Sequence, residues 1–401
     1  PRNCLVVAML VLAQPTASLA GEIGNAPVKP YVDARYRLEL VDQDGFAQEA
    51  VASTLRVRAG LKTVEFSGFS AVIEGEAITD IGKERYNDTV NGRTQYPVVA
   101  DPSDVLLNQA YVRWHKKDVA EAIAGRQAVN LDNQRWIGSV GWRQNDQTLD
   151  AARVTVKPVK GLSLGYGYAW RVNRIFGPDS PQGIFRDTGI HLFRVAQEVK
   201  AVGTVSTYAY LLDIPSAPLL SSQTYGVRLT GTVPVNGKTK LLYAAEYARQ
   251  SDHGRNPANF GLTYLLLEPG VSTGPLTLKL GYERLEGNGA VALQTPLATL
   301  HAFNGWADKF LTTPVNGLRD VYADATVKLA TKGALKDASL RVAFHDFRST
   351  RASLHYGREW DVQIARPIGK HFSVVAKYAR YDAVRFATDT SKFWFGVEAK
   401  Y

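Results

Sequence analysis

From about residue 30 to the end of the chain, apolar residues recur at every second position, in segments roughly 10–13 residues long. Val32, Ala34, Tyr36, Leu38 and Leu40 interleave with Asp33, Arg35, Arg37 and Glu39; Leu55, Val57, Ala59 and Leu61 alternate with Arg56 and Arg58. Leu162, Leu164, Tyr166, Tyr168 and Trp170 do the same against Ser163, Gly165, Gly167 and Arg171, and Phe393, Phe395, Val397, Ala399 and Tyr401 close the series. A period of two is the strand period, so the chain is all-β. About eighteen such segments can be marked, each long enough to cross a bilayer at a steep tilt, whereas soluble strands average nearer 5–6 residues.

The links between segments sort by parity. Those at 42–52, 77–104, 128–146, 173–187 and 286–317 are long. Those near Val64, at Lys117 and Asp118, at Pro158 to Lys160, around Lys200, at Pro234 to Gly237 and at Pro367 to Lys370 are tight. Short turns at one end and long loops at the other are the asymmetry of an outer-membrane barrel with periplasmic turns. A barrel of that size is too wide for wall side chains to fill and encloses a channel unless loops plug it. The apolar residues of each strand are then expected to face lipid, with aromatics such as Tyr31, Trp114, Trp170, Tyr247, Trp360 and Tyr378 in interfacial girdles.

Export is legible at the N-terminus. Arg2 precedes the apolar run Leu5 to Ala13, and Ser18-Leu19-Ala20 sets small residues at a cleavage site, so 1–20 reads as a signal peptide and 21–401 as one barrel domain. The run is too short for a spanning helix. The single cysteine, Cys4, falls in the leader, so the mature chain has neither disulfides nor thiol chemistry. The alternating segment ending on Tyr401 resembles the signal read by the barrel-insertion machinery.

Charge supplies the functional expectation. The chain carries a formal net charge of +9. Arg35, Arg37, Arg56, Arg58, Arg113, Arg153, Arg171, Arg228 and Arg341 fall on the polar phase of their segments, and Arg126, Arg135 and Arg143 lie on or beside the third long link. Rings of arginine favour anions, and guanidinium forks match carboxylates. The expected constriction is Arg113, Arg126, Arg135 and Arg143, with Arg56, Arg58 and Arg228 lining the approach and Asp150 as the internal counter-charge. In link 286–317, Trp306 and Phe310 beside Asp308 and Lys309 suggest a plug, a sugar-stacking platform, or a loop packed on the wall by its own aromatics.

Two blocks carry a family resemblance. Gly125-Arg126-Gln127, Leu131 to Gly138 (LDNQRWIG) and Gly141-Trp142-Arg143-Gln144 form the first; His301 to Phe310 (HAFNGWADKF) with Thr312-Thr313-Pro314 forms the second. Both resemble the alginate-export family of outer-membrane barrels. The resemblance implies an eighteen-strand monomer passing an anionic polysaccharide through an arginine-rich constriction, with periplasmic export partners.

Catalysis finds little in the sequence. The seven histidines show no pair at metal-ligand spacing, no G-x-S-x-G elbow is present, and no cofactor, metal or nucleic-acid partner is expected. The leading reading is a passive outer-membrane channel for anionic saccharides. The alternatives are a secreted β-rich enzyme acting on acidic polysaccharides and a general or structural barrel.

Overall fold

The computed structural model describes residues 27–330 and 333–401. The expected leader, 1–20, and the first residues of the 21–401 domain lie outside the described residues. Among the described residues, one antiparallel sheet of nineteen strands accounts for the fold; one of them, Ile184–Phe185, is a two-residue strand within a loop, so eighteen cross the barrel. Crossing strands run from 8 residues (Ala120–Gln127) to 16 (Val28–Gln43). The sheet closes where Val28–Gln43 pairs with Thr390–Lys400, in register from Asp33 opposite Lys400 to Gln43 opposite Thr390. Closure leaves no sheet edge, which a strand protein needs if its backbone groups are to be satisfied in hydrocarbon.

Links 117–119, 200–202, 237–238 and 274–275 are tight turns at one end, and 81–103, 128–147, 174–188 and 286–317 project from the other. Pro234 and Pro367 lie in strands rather than in turns, paired with Lys240 and Ser373, and a register shift follows Pro234. The two faces follow the period of two. Ile73, Val112, Leu280 and Trp360 are each more than half exposed on the outside, while Glu39, Arg56, Glu76, Glu359 and Asp361 are fully buried on the inside. At Gly281 the missing side chain leaves room for the ring of Tyr322, its cross-strand partner.

The interior is not an empty tube. Trp136 and Ile137 from 128–147, with Leu293, Leu297, Trp306 and Phe310 from 286–317, pack against the inward rings of Tyr208, Tyr264, Phe347, Tyr381 and Trp394. Both loops therefore fold into the lumen, where the apolar area they bury holds them.

Candidate functional site in the lumen

The strands set a wall of alternating charge. Arg56 contacts Asp33 at 2.6 Å and Glu398 at 3.4 Å; Arg58 bonds Glu76, and its Nη1 lies 2.9 Å from Asp146. Arg228 bonds Glu246, Lys279 meets Glu268 at 2.9 Å and Arg341 meets Asp324 at 2.5 Å. Cations on the inward phase are thus largely matched by carboxylates two strand positions or one strand away.

Loop 128–147 enters on left-handed residues at Asp132, Gln134 and Val140. Arg135 reaches Glu283 at 2.9 Å and Asn304 Oδ1 at 3.0 Å. The indole N–H of Trp136 donates to Glu246 at 2.7 Å. Arg143 reaches Glu39 at 3.0 Å, with Asp101 and Asp308 at 3.5 Å each. These three carboxylates hold the Arg143 guanidinium above its ordinary pKa although burial opposes its charge.

Loop 286–317 joins it. Ile137 and Leu297 form a parallel bridge; Gly138 N–H donates to Leu297 O at 2.8 Å, and Thr299 N–H to Gln134 O at 3.0 Å. Asp308 is the centre of this loop, 2.8 Å from Lys392, 2.7 Å from His301 Nδ1 and 3.5 Å from Arg143. Burial would raise its pKa; Lys392, His301 and Arg143 overcome that and hold it well below the carboxylate range. Lys377 Nζ donates to His301 Nε2 at 2.8 Å, which places the imidazole proton on Nδ1, facing Asp308. Burial, then Lys377, pushes the His301 pKa down to about 3, so the ring is neutral. Lys377 also lies 3.8 and 4.0 Å from the ring centres of Trp306 and Trp142, and Trp142 stacks on His301 at 4.8 Å.

Between the loops and the opposite wall lies a cavity of about 500 Å3, lined by Arg228, Lys279, Phe303, Trp306, Asp320 and Arg341 among others. It is a mixed-charge space with two aromatic faces, suited to a small polar solute.

The expected constriction is divided by the structure. Arg135 and Arg143 are inside the barrel on the folded loop. Arg56, Arg58 and Arg228 are on the inward wall. Arg113 sits near the tight turn 117–119, paired with Glu121 at 2.6 Å, away from the loops. Arg126 and Asp150 are a correction: they pair at 2.7 Å, but on the outward phase. Arg126 alternates with Gly125 and the buried Gln127, and Asp150 shares the phase of the exposed Ala152 and Val154. Arg171 leaves the inward phase as well, because a bulge opposite Asp150 and Ala151 sets it in the phase of Trp170. In the second block, Phe310 packs on Phe347 at 4.4 Å and Phe386 at 5.2 Å, so it is wall packing rather than a platform. Trp306 borders the cavity, and Lys309 is drawn down to about 8, by burial first and Lys392 second. Lys377 and Lys392 are not among the expected site residues, and Trp142 and His301 enter the sequence reading only as members of the two motif blocks; the inward phase of Lys377 and Lys392 is the available signal.

The closed eighteen-strand sheet defines an outer-membrane β-barrel, and the bacterial outer membrane is its place. No protein-family model and no curated protein matches the sequence. Solved structures do match over nearly the whole chain. Pseudomonas aeruginosa OpdL is similar with a TM-score of 0.72 at 15% identity, covering 93% of this chain and 98% of its own. Acinetobacter baumannii OccAB3 gives 0.72 at 11%, covering 93% and 99%. Pseudomonas aeruginosa OpdK, crystallised with vanillate, gives 0.70 at 13%, covering 93% and 98%. These likenesses overturn the resemblance to the alginate-export family: eighteen strands and long links are common to both groups, and short motifs in the loops did not separate them.

Proposed function

We propose that this protein is a passive outer-membrane channel for small polar solutes, with small anionic saccharides and other small organic acids as the preferred class. The observation that carries the reading is the 500 Å3 polar cavity left between two lumen-filling loops and the wall of a closed eighteen-strand barrel. A constriction of that kind suits single small molecules rather than a polymer. The anionic preference rests on the net charge of +9 and on inward cations that bond neutral groups, Arg153 to Gln127 and Lys377 to His301. It is tempered by the carboxylates paired with Arg56, Arg58, Arg143 and Arg228. The small carboxylate vanillate, present in the OpdK structure, belongs to the same chemical class.

The test is conductance of refolded protein in a planar bilayer with a salt gradient, beside liposome swelling in glucuronate, glucose and an oligouronate. Small openings, a reversal potential favouring anions and faster swelling in glucuronate than in glucose are expected, with the oligomer excluded. Absence of any opening from correctly folded protein would sink the channel, and equal rates for glucuronate and glucose would sink the anionic preference. The enzyme alternative separates by solubility, since a barrel requires detergent.

A further inference from the structure

Arg126, displaced from the expected constriction, clusters with the outward-phase Arg171 and with Arg174 of the following loop. Strands Ala120–Gln127 and Thr148–Val156 are 8 and 9 residues long, against 13 and 12 in their outer neighbours Asp104–Lys116 and Leu162–Asn173. The wall therefore dips at its long-loop end. A cavity of about 190 Å3 fills the dip, lined by Arg126, Arg171, Arg174, Asn173 and Thr148. This is several times the ~30 Å3 share of one water molecule.

Asp150 serves both Arg126, at 2.7 Å, and Arg171, at 3.9 Å. Arg174, in the following loop, lies 4.8 and 4.6 Å from the rings of Phe176 and Phe185 and donates to Gln182 O at 3.0 Å; its Nε has no partner. Burial alone draws its pKa down to about 10. Three guanidiniums thus converge here on Asp150 and the cavity-lining Asp146, which Arg58 already holds at 2.9 Å, with an unused donor beside them.

The level of the cluster on the barrel identifies its environment. Tyr166, Tyr168 and Trp170 form an exposed outward stripe with Phe193 on the neighbouring strand. Such aromatics mark the membrane interface, and Arg171 is the next residue toward the loops. Leu107, 46% exposed, borders the same cavity. A guanidinium on the lipid face is costly at the midplane and nearly neutral near the interface. We infer that the Arg126–Arg171–Arg174 cluster is a docking site for the phosphate of a phosphorylated glycolipid in the outer leaflet, its acyl chains lying on Leu107 and the aromatic stripe. The assignment is independent of whether the barrel conducts.

Native mass spectrometry of the detergent-purified protein with bisphosphorylated lipid A, its dephosphorylated form, or inorganic phosphate tests this. Each near-surface cation carries roughly a factor of five in binding, so the double variant R126Q/R171Q should lose about 25-fold in retention of the phosphorylated lipid. R126K should retain most of it, which separates a lost guanidinium from a misfolded rim, and the heat-modifiable gel mobility of each variant reports folding. The distant pair R255Q/R358Q should bind as the parent does. Equal losses in the two double variants, or equal retention of dephosphorylated lipid, would overturn the site. Saturation by inorganic phosphate that displaces the lipid would overturn the lipid assignment in favour of a free anion.

Discussion

The two loops inside the barrel distribute their ion pairs differently. Loop 128–147 uses both signs: Arg143 goes to Glu39, Arg135 to Glu283 and the Trp136 indole to Glu246, while Asp132 meets Arg194 and Asp146 meets Arg58. Loop 286–317 brings one carboxylate into the lumen, Asp308 to Lys392, and otherwise docks through neutral groups: the Asn304 amide to Glu283 at 2.6 Å, His301 to Lys377, and main-chain N–H groups from Trp306 to Asp361 at 3.3 Å and from Ala307 to Glu359 at 2.6 Å. The first loop spreads its attachment over five separate wall residues, Glu39, Glu283, Glu246, Arg194 and Arg58. The second concentrates its lumenal ion pairing on one residue, and the first loop's Arg143 reaches that same carboxylate. Failure should therefore start at Asp308.

The sharpest way to break this asymmetry is Asp308→Ala. It would strand Lys392 and Arg143, both under a tenth exposed, without one of their carboxylates. Removing one partner of a buried ion pair costs about 3–5 kcal/mol. The expected outcome is a marked fall in the heat-modification temperature of folded protein and a larger, noisier single-channel conductance as 286–317 loosens. An unchanged conductance would mean that the loop is held by its apolar packing.

Arg143→Met should do less. Asp308 keeps Lys392 and His301, and Asp101 keeps Arg37 at 3.5 Å, so Glu39 bears most of the loss. A cost of about 3 kcal/mol follows, the lower end for a buried pair that loses one partner. Heat-modification curves of the two variants side by side check the order, and a greater loss from Arg143→Met would reverse the ranking of the loops.

These loops also mark how far the sequence could be read. Strand number, closure and the inward phase of Arg56, Arg58 and Arg228 follow from a period of two, which local chemistry writes into every segment. Arg126 shows what happens when a second argument is preferred: its neighbours Gly125 and Gln127 hold the inward phase, yet proximity to the third long link suggested the lumen. Arg171 was beyond pattern reading, because a bulge changes phase without changing composition. A lumenal constriction in 128–147 and a plug in 286–317 could be expected, but the partners of these loops were illegible for another reason. Their contacts join residues over a hundred positions apart, such as Trp136 and Glu246 or Arg143 and Glu39, and no local rule encodes such pairings.

Acid should separate the loops next. His301 has a folded pKa of about 3, below its ordinary 6.5, so between those values the unfolded or released loop binds a proton that the docked loop does not. Stability of the docked 286–317 therefore falls as pH drops from 6.5 toward 3. Asp308 adds to this only below about pH 4, where its depressed pKa departs from the unfolded carboxylate value. Arg143 in 128–147, its pKa raised by Glu39, Asp101 and Asp308 against burial, stays charged throughout. Conductance recorded from pH 7 to pH 4 should become noisier, and His301→Gln should flatten that dependence above pH 4; an equally steep response in the variant would place the titrating group elsewhere.

The smallest effect belongs to Trp136→Phe, at the well-supported end of the comparison. Its indole N–H is one of three donors converging on Glu246, the others being Tyr208 at 2.6 Å and Arg228. Asp308 is a single acceptor shared by several cations, whereas Glu246 is a single acceptor supplied by several donors, so loss of one donor leaves the carboxylate satisfied. The Phe ring keeps the contact with Tyr264, whose centre is 5.3 Å from the indole. A loss of about 1 kcal/mol is expected, the net worth of one ordinary hydrogen bond, with conductance at the parent level. A double-mutant cycle between Trp136→Phe and Tyr208→Phe tests the buffering directly: the second removal should cost more than the first, because only Arg228 then remains on Glu246.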